Sequence, residues 1–492
     1  MVMQSRRDFL EQSILAAAAA SFASMPKTTR ADNEAKPVKS PNEKLHVAMV
    51  GVNGRGMDHM HWMLRPSSDV EIVAIVDVDE KVGKSRVDFV EKHAHKVPAY
   101  YRDLRKMLED PSIDIVSIAT PNHWHSLAAI WAIQAGKDVY VEKPVSHNVS
   151  EGRRLVQAAR KHNRIVQAGM QSRSLSGAKQ AIDFIRSGQI GDVKLARGLC
   201  YKNRGSIGPA GNYEVPKSVD YNLWLGPAPE KPLTRKNLHY DWHWMWDYGN
   251  GDLGNQGIHQ MDVCRWGLGV GDIGYSALSY GGRFGYEDAG QTANTQVSIH
   301  EYPGGKRIVF EVRGLKTPKL LGTKIGAIFY GTDGYVVVGE EDYGHATAYD
   351  LKGNETKKFS GGVTLDHWKN FVSAVRSRKR EELNGEVLEG HLSSALCHLA
   401  NISYRLGEPM SGAEAAERLA ADKETSETFE RFSQHLASNM VMIQNTKLLH
   451  FGQKLAVDPK SEIFTGPQAS GANAMLTRDY RAPFIVPAES NV

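Results

Sequence analysis

The sequence predicts an α/β protein built on a doubly wound parallel sheet. Three observations carry this. Apolar runs of strand length alternate with helix-length stretches over residues 45–169. The first run ends in a glycine-rich turn, and polar clusters stand at the ends of later ones.

Taken in order, Leu45–Gly51 reads as a buried strand that runs straight into Gly51-Val-Asn-Gly-Arg-Gly56. A glycine turn between strand and helix lets backbone N–H groups approach a pyrophosphate, with the helix N-terminus favouring its charge. The spacing is near G-x-G-x-x-G, with Asn53 at the middle glycine and Gly54 after it. The turn therefore predicts dinucleotide contacts from Gly51, Asn53, Gly54, Arg55 and Gly56. Val70–Asp77 is the second strand, and Asp77 stands about 20 residues beyond the last glycine. A carboxylate there accepts a hydrogen bond from the adenosine ribose and repels a 2′-phosphate, which favours NAD over NADP. Asp79 competes for that role.

The alternation continues through a strand at Asp114–Thr120, a helix at His125–Ala135, a strand at Asp138–Glu142, a helix at Ser150–His162 and a strand at Ile165–Gly169. Ligands of such sheets sit beyond the strand C-termini. Three polar clusters stand there: Thr120-Pro-Asn-His-Trp-His125, Glu142-Lys-Pro144 and Gln171-Ser-Arg173. Farther on, Asp366–Arg376 and Glu389–Arg405 read as helices that join domains. Gly412–Val441 reads as charged helix, and the rest as an irregular tail that wraps a neighbouring surface.

At 492 residues the chain is too long for one ordinary domain. Its net charge of +4 is spread along the chain, with no basic block interleaved with aromatics, which argues against nucleic acid. Cys200, Cys264 and Cys397 are odd in number and far apart, so they form neither a disulfide framework nor a zinc signature. Ser5-Arg-Arg-Asp-Phe-Leu10 leads into the apolar run Ile14–Ser24, which is too short to span a bilayer. This predicts a twin-arginine signal peptide over 1–31, a linker over 32–43, and a mature periplasmic protein with no membrane segment. That export route takes folded cargo, so NAD bound in the cytoplasm would travel with the chain.

Gly51-x-Asn-Gly-Arg-Gly56, Thr120-Pro-Asn-His-x-His125, Glu142-Lys-Pro144 and Gly257-Ile-His259-x-x-Asp262 together resemble the glucose–fructose oxidoreductase / inositol dehydrogenase / MocA family, over roughly Lys44–Pro409. Trp224-Leu-Gly-Pro-Ala-Pro229 and the tail look like a secreted subgroup of it. The resemblance implies a Rossmann NAD(P)-binding domain at 44–169 and an α+β domain at 170–409, with a C-terminal extension at 410–492. The second domain would hold a large, open, mostly antiparallel sheet carrying the substrate site and a homo-oligomer contact. Thr120, Asn122, His125, Glu142 and Lys143 would join the cofactor contacts. Lys143 would steady the developing alkoxide and His259 would shuttle the proton.

The family's usual aspartate four positions before the histidine is replaced here by Asn255, for which Asp252 or Asp262 are the available substitutes. Arg173, Tyr201, His239, Asp241, Trp242 and Asp262 are the substrate candidates; flat aromatic faces such as Trp242 suit sugar C–H faces. His239 and His243, with His259 and Asp262, raise a metal question, but Trp242, Trp244 and Trp246 crowd the segment and no metal is assigned. The expected function is oxidation of a sugar or sugar derivative by tightly bound NAD. The alternatives are a redox-neutral NAD-dependent glycoside hydrolase, working by oxidation, elimination, hydration and re-reduction, and a non-catalytic binding protein on the same fold.

Overall fold

The computed structural model describes residue 40, residues 43–339 and residues 344–492. The signal peptide expected at 1–31 and most of the linker lie outside the described residues.

The strands of the first half are apolar along nearly their whole length because both faces of their sheet are covered. β1 (Leu45–Val50), β2 (Val70–Val76), β3 (Ala99–Tyr101), β4 (Ile115–Ile118), β5 (Asp138–Val141) and β6 (Val166–Ala168) pair in parallel in the order β3-β2-β1-β4-β5-β6. Helices of ten residues or more are numbered in chain order. α1 (Gly54–Met63), α2 (Glu80–Ala94), α3 (Asn122–Gln134) and α4 (Val149–Lys161) lie between the strands. Leu127, Ile130 and Ile133 of α3 fill one face of the sheet; Met60 and Met63 of α1 fill the other with Trp368 and Phe371. The strand order reverses between β1 and β4, and a crevice opens beyond the strand C-termini at such a reversal.

The second sheet has twelve strands. These are β7 (Leu195–Cys200), β8 (Ser276–Gly282), β9 (Thr295–Glu301), β10 (Arg307–Arg313), β11 (Ile325–Tyr330), β12 (Gly334–Val338), β13 (His345–Asp350), β14 (Glu355–Ser360), β15 (Glu408–Met410), β16 (Leu449–Phe451), β17 (Leu455–Asp458) and β18 (Ile463–Thr465). Their main path is β14-β13-β12-β11-β7-β10-β9-β8-β16-β15. Among the described strands of this sheet, β7 and β10 alone pair in parallel. α5 (Ser176–Arg186), α6 (Gly257–Leu268) and α8 (Val387–Arg405) cover one face, and α7 (Leu365–Ser377) packs on the first sheet. On the opposite face α9 (Lys423–Ser438) lays Phe429, Phe432 and Leu436 against Tyr280, Val297 and Ile299. Beyond α9, Tyr330, Tyr335 and Tyr349 are only partly covered.

α8 ties the two sheets together, packing on α4 and β6 on one side and on α6 and β8 on the other. The C-terminal stretch, expected to be irregular after its helices, adds β16–β18 to the large sheet. It then crosses to the first half of its own chain, where the Phe484 ring meets Trp124 edge-on at 5.5 Å and Val486 and Val492 are buried. Removing a ring so enclosed costs about 3–5 kcal/mol. Cys200, Cys264 and Cys397 are free and buried, and no described helix is long and apolar enough to cross a membrane.

Candidate active site

A cavity of about 510 Å³ opens at the reversal point, lined from both halves of the chain. Its floor is the turn from β1 into α1. Gly51 has φ of +79°, and a Cβ there would press to 2.8 Å from the backbone nitrogen of Thr120. Gly54 faces open space, so backbone is exposed where a side chain would stand. Asn53 precedes α1 with no side-chain cap, leaving the first N–H groups of that helix without one. Gly56 does not line the cavity: a Cβ there would lie 2.2 Å from the Gly51 carbonyl oxygen. Its role is close packing of α1 on the turn, not the cofactor contact expected of it.

Asp77 ends β2 at the cavity wall, its carboxylate accepting from the backbone N–H of Val52 at 3.0 Å and of Asp79 at 2.9 Å. Asp79 is taken out of competition. It caps α2 by accepting from the Lys81 N–H at 3.0 Å, and it meets His239 Nε2 at 3.0 Å. Thr120 and Ser172 also line the cavity, and the Oγ atom of each is buried with no partner among the described residues. An uncapped helix N-terminus over glycine backbone, an acid on the neighbouring strand and two orphaned hydroxyls fit a dinucleotide.

Glu142 and Lys143, adjacent in sequence, have different fates. The Glu142 carboxylate turns inward and accepts from Arg55 Nε at 2.9 Å, with His59 Nε2 at 3.0 Å and Gln171 Nε2 at 3.3 Å. Burial pushes its pKa up, but Arg55 and His59 outweigh that and hold it well below the usual carboxylate range. It is a strut between α1 and β5. Sequence reasoning missed His59, which lies one turn beyond Arg55 on α1 and is fully buried between Glu142 and Ser117. Lys143 points the other way, donating from Nζ to the backbone carbonyl of Asn255 at 2.7 Å. Enclosure pushes its pKa down to about 8, an effect that the nearby Glu142 charge partly offsets.

Asn255, the last residue of a short helix over Gly251–Asn255, and His259, in the first turn of α6, line the cavity. Burial, then the Lys143 charge, lowers the His259 pKa to about 3, so the ring is neutral at working pH. Neither acid offered as a substitute for the missing aspartate serves. Asp252 is held bidentate by Arg204 at 2.7 and 3.0 Å, and Asp262 by Arg173 at 2.8 Å to each oxygen. Asn122 lines the cavity with its amide donating to Asn250 Oδ1 at 3.2 Å, and the His125 ring sits between the carbonyls of Thr120 and Pro144, at 2.7 and 2.6 Å, with its one N–H donating to one of them.

The remaining substrate candidates divide. His239 and Trp242 line the cavity, joined by Tyr240 and by His243, which stacks on Trp242 at 3.7 Å. His239 precedes the 3₁₀ turn Asp241–Trp244 and His243 lies within it, and His239 is engaged by Asp79. Among the described residues no group of three His, Cys, Asp or Glu side chains is placed to hold a metal. Arg173, Asp262, Tyr201 and Asp241 are off this cavity. Arg173 and Asp262 form a buried pair that Glu389 and Ser393 of α8 complete, so they fasten α6 to α8. Tyr201 is buried with its hydroxyl donating to Glu311 at 2.6 Å, and Asp241 is buried near the Arg235 charge.

Fold and site together define a two-domain oxidoreductase with an NAD-binding Rossmann fold. Residues 45–170 match the family model for the oxidoreductase NAD-binding Rossmann fold, and residues 205–331 match that for the same family's C-terminal α/β domain. The chain belongs to the glucose–fructose oxidoreductase / inositol dehydrogenase / MocA family. Inositol 2-dehydrogenase of Salmonella typhimurium is 29% identical over 176 residues, 36% of this chain and 50% of that protein. A glycosyl hydrolase family 109 protein of Shewanella pealeana is 30% identical over 168 residues, 32% of this chain and 37% of that protein. The chain thus matches half the length, or less, of these relatives. Among solved structures, levoglucosan dehydrogenase has a TM-score of 0.55 at 17% identity, covering 73% of this chain and 96% of its own. The WlbA dehydrogenase of Bordetella pertussis has a TM-score of 0.55 at 19% identity, covering 74% and 97%. These likenesses show the shared fold.

Proposed function

We propose that the protein oxidises a sugar or sugar derivative at a carbinol carbon, using tightly held NAD. The observation that carries this reading is Lys143: an amine with a pKa near 8 in the wall of the cavity that also contains the dinucleotide cradle. NAD supplies the hydride acceptor. The uncapped N-terminus of α1 takes its pyrophosphate, and Asp77 takes the ribose. Neutral Lys143 accepts the hydroxyl proton, because a base works best with a pKa near the working pH. With its pKa of about 3, His259 is a weak base; it positions the hydroxyl as a neutral hydrogen-bonding partner. Trp242 and His243 offer stacked flat faces to the sugar. The curated relatives at 29–30% identity, one named for inositol oxidation and one for glycosyl hydrolysis, support a polyol or sugar.

The redox-neutral glycosidase is the second reading, favoured by the glycosyl hydrolase relative and by Asn255 in place of an acid. On either reading the mature protein works in the periplasm after twin-arginine export, with its cofactor carried out in the fold. The partly exposed Tyr330, Tyr335 and Tyr349 support self-association through the open sheet face.

The test begins with protein purified from cells carrying the signal sequence. After heat denaturation the supernatant is assayed for nicotinamide nucleotide, and about one NAD per chain is expected. No nucleotide would overturn the retained-cofactor reading. Release of free sugar from a glycoside without added NAD would select the glycosidase.

A further inference from the structure

A second cavity, of about 250 Å³, lies on the other side of the large sheet, between α9 and the loop that follows β10. Its walls carry Arg313, Lys316, Lys319 and Arg431 and no carboxylate. The nearest acid engaged by these residues is Glu311, already fully used. It accepts from Arg313 and from Arg431 at 2.9 Å each and from Tyr201 at 2.6 Å, and it is paired with Arg197 as well. Arg197 has Glu424 as a second carboxylate, so Glu311 is left to balance Arg313 and Arg431, and with Lys316 and Lys319 the cavity keeps an excess of positive charge.

Two donors beside it have nothing to donate to among the described residues: Arg431 Nε and His435 Nε2, both buried. His435 itself is only 5% exposed. Its tautomer follows from Asn439. The Asn439 side-chain nitrogen donates to the Lys316 carbonyl at 3.0 Å and to the His435 carbonyl at 2.9 Å, which fixes it as the amide N–H₂. The same nitrogen, with both its hydrogens so used, stands 3.5 Å from His435 Nδ1, and a proton on Nδ1 would point at that N–H₂ group. The ring proton is therefore on Nε2. A buried donor left unmet costs roughly 1–3 kcal/mol, so the arrangement asks for an acceptor.

We propose that this cavity is a second ligand site, separate from the nucleotide crevice, that takes a small molecule through an oxyanion group, a phosphate or a carboxylate. Lys316 and Lys319 on the exposed loop draw the anion in. Arg431 and His435 give it donors, and Arg313, stacked 4.5 Å over the Tyr201 ring, supplies a fixed charge. The volume suits inorganic phosphate or a short organic acid, not a nucleotide.

The test is titration calorimetry on the full chain saturated with NAD, so that the pyrophosphate cradle is filled, with inorganic phosphate and malonate as separate probes. Saturable binding of at least one probe, in the millimolar range or tighter, is expected. Phosphate binding well ahead of malonate would assign a phosphate ligand, and the reverse a carboxylate. Lys316→Gln, on an exposed loop where folding is not at stake, should weaken the binding about tenfold. Arg431→Gln should abolish it. Absence of saturable heat with both probes, or an unchanged Kd in Lys316→Gln, would overturn the proposal.

Discussion

The two walls of the nucleotide cavity are built on different plans. On the parallel-sheet side the acids are tied down, Glu142 to Arg55 and His59 and Asp77 to two backbone N–H groups, and the Thr120 and Ser172 hydroxyls are left without a partner among the described residues. On the side contributed by α6 and the 239–243 segment the partners are fewer. Lys143 reaches across to Asn255, whose carbonyl lies at 2.7 Å and Oδ1 at 3.5 Å, and the stacked Trp242 and His243 rings each make one backbone hydrogen bond, to the His239 and Tyr240 carbonyls. A wall whose acids are already satisfied holds one shape. A wall held by fewer ties can exchange a substrate at every turnover. Lys143 is the point where the two plans meet.

That contrast can be broken most severely at the meeting point. Lys143→Ala should cut kcat by about 100-fold or more, while the NAD recovered on denaturation stays near wild type. Near-normal turnover would remove the lysine from the chemistry. In the wild type, oxidation should rise with pH through about 8, because the amine must lose its proton before it can accept one. A kcat profile flat from pH 6 to 9 would show that the lysine acts only as a cation.

Next comes the rigid wall. Glu142→Gln strands Arg55 and His59 and should cost about 3 kcal/mol in urea unfolding. This is the low end for a buried pair, because the Arg55 side chain is 35% exposed. Since the Glu142 charge holds the Lys143 pKa up, surviving enzyme should show its pH profile moved to lower pH. Asp77→Ala should weaken NAD about tenfold and narrow the preference over NADP; unchanged affinity would mean that the ribose is held elsewhere. The mildest change sharpens the contrast instead. Asn255→Asp puts a carboxylate where Oδ1 now lies 3.5 Å from the lysine amine, and it should raise the profile midpoint by about one pH unit.

The nucleotide wall was legible in the sequence because its contacts are local. Gly51, Asn53 and Gly54 lie in one turn, and Asp77 follows at a distance that one crossover helix sets. The substrate side was legible only in part, because burial there is decided by residues far along the chain. Arg173 and Asp262 look like ligand-binding charges until Glu389 and Ser393 arrive from α8 to enclose them. Tyr201 looks like a pocket residue, and lines one, but Glu311 and α9 make it the basic cavity on the far side. His59 gave no signal, since a histidine within a polar helix reads as surface until Glu142 and Ser117 are placed beside it. The tail read as irregular because β16 and β18, at three residues each, are too short to show a period.

The lowered proton affinity of Lys143 also makes it a chemical outlier among the lysines. With a pKa near 8, about one-fifth of its amines are unprotonated at pH 7.4, against about one in a thousand for an ordinary lysine. An amine-acylating reagent used sparingly should therefore mark this side chain before the rest, and occupancy of the neighbouring crevice should shield it. A mass shift on one peptide would then report how full the site is.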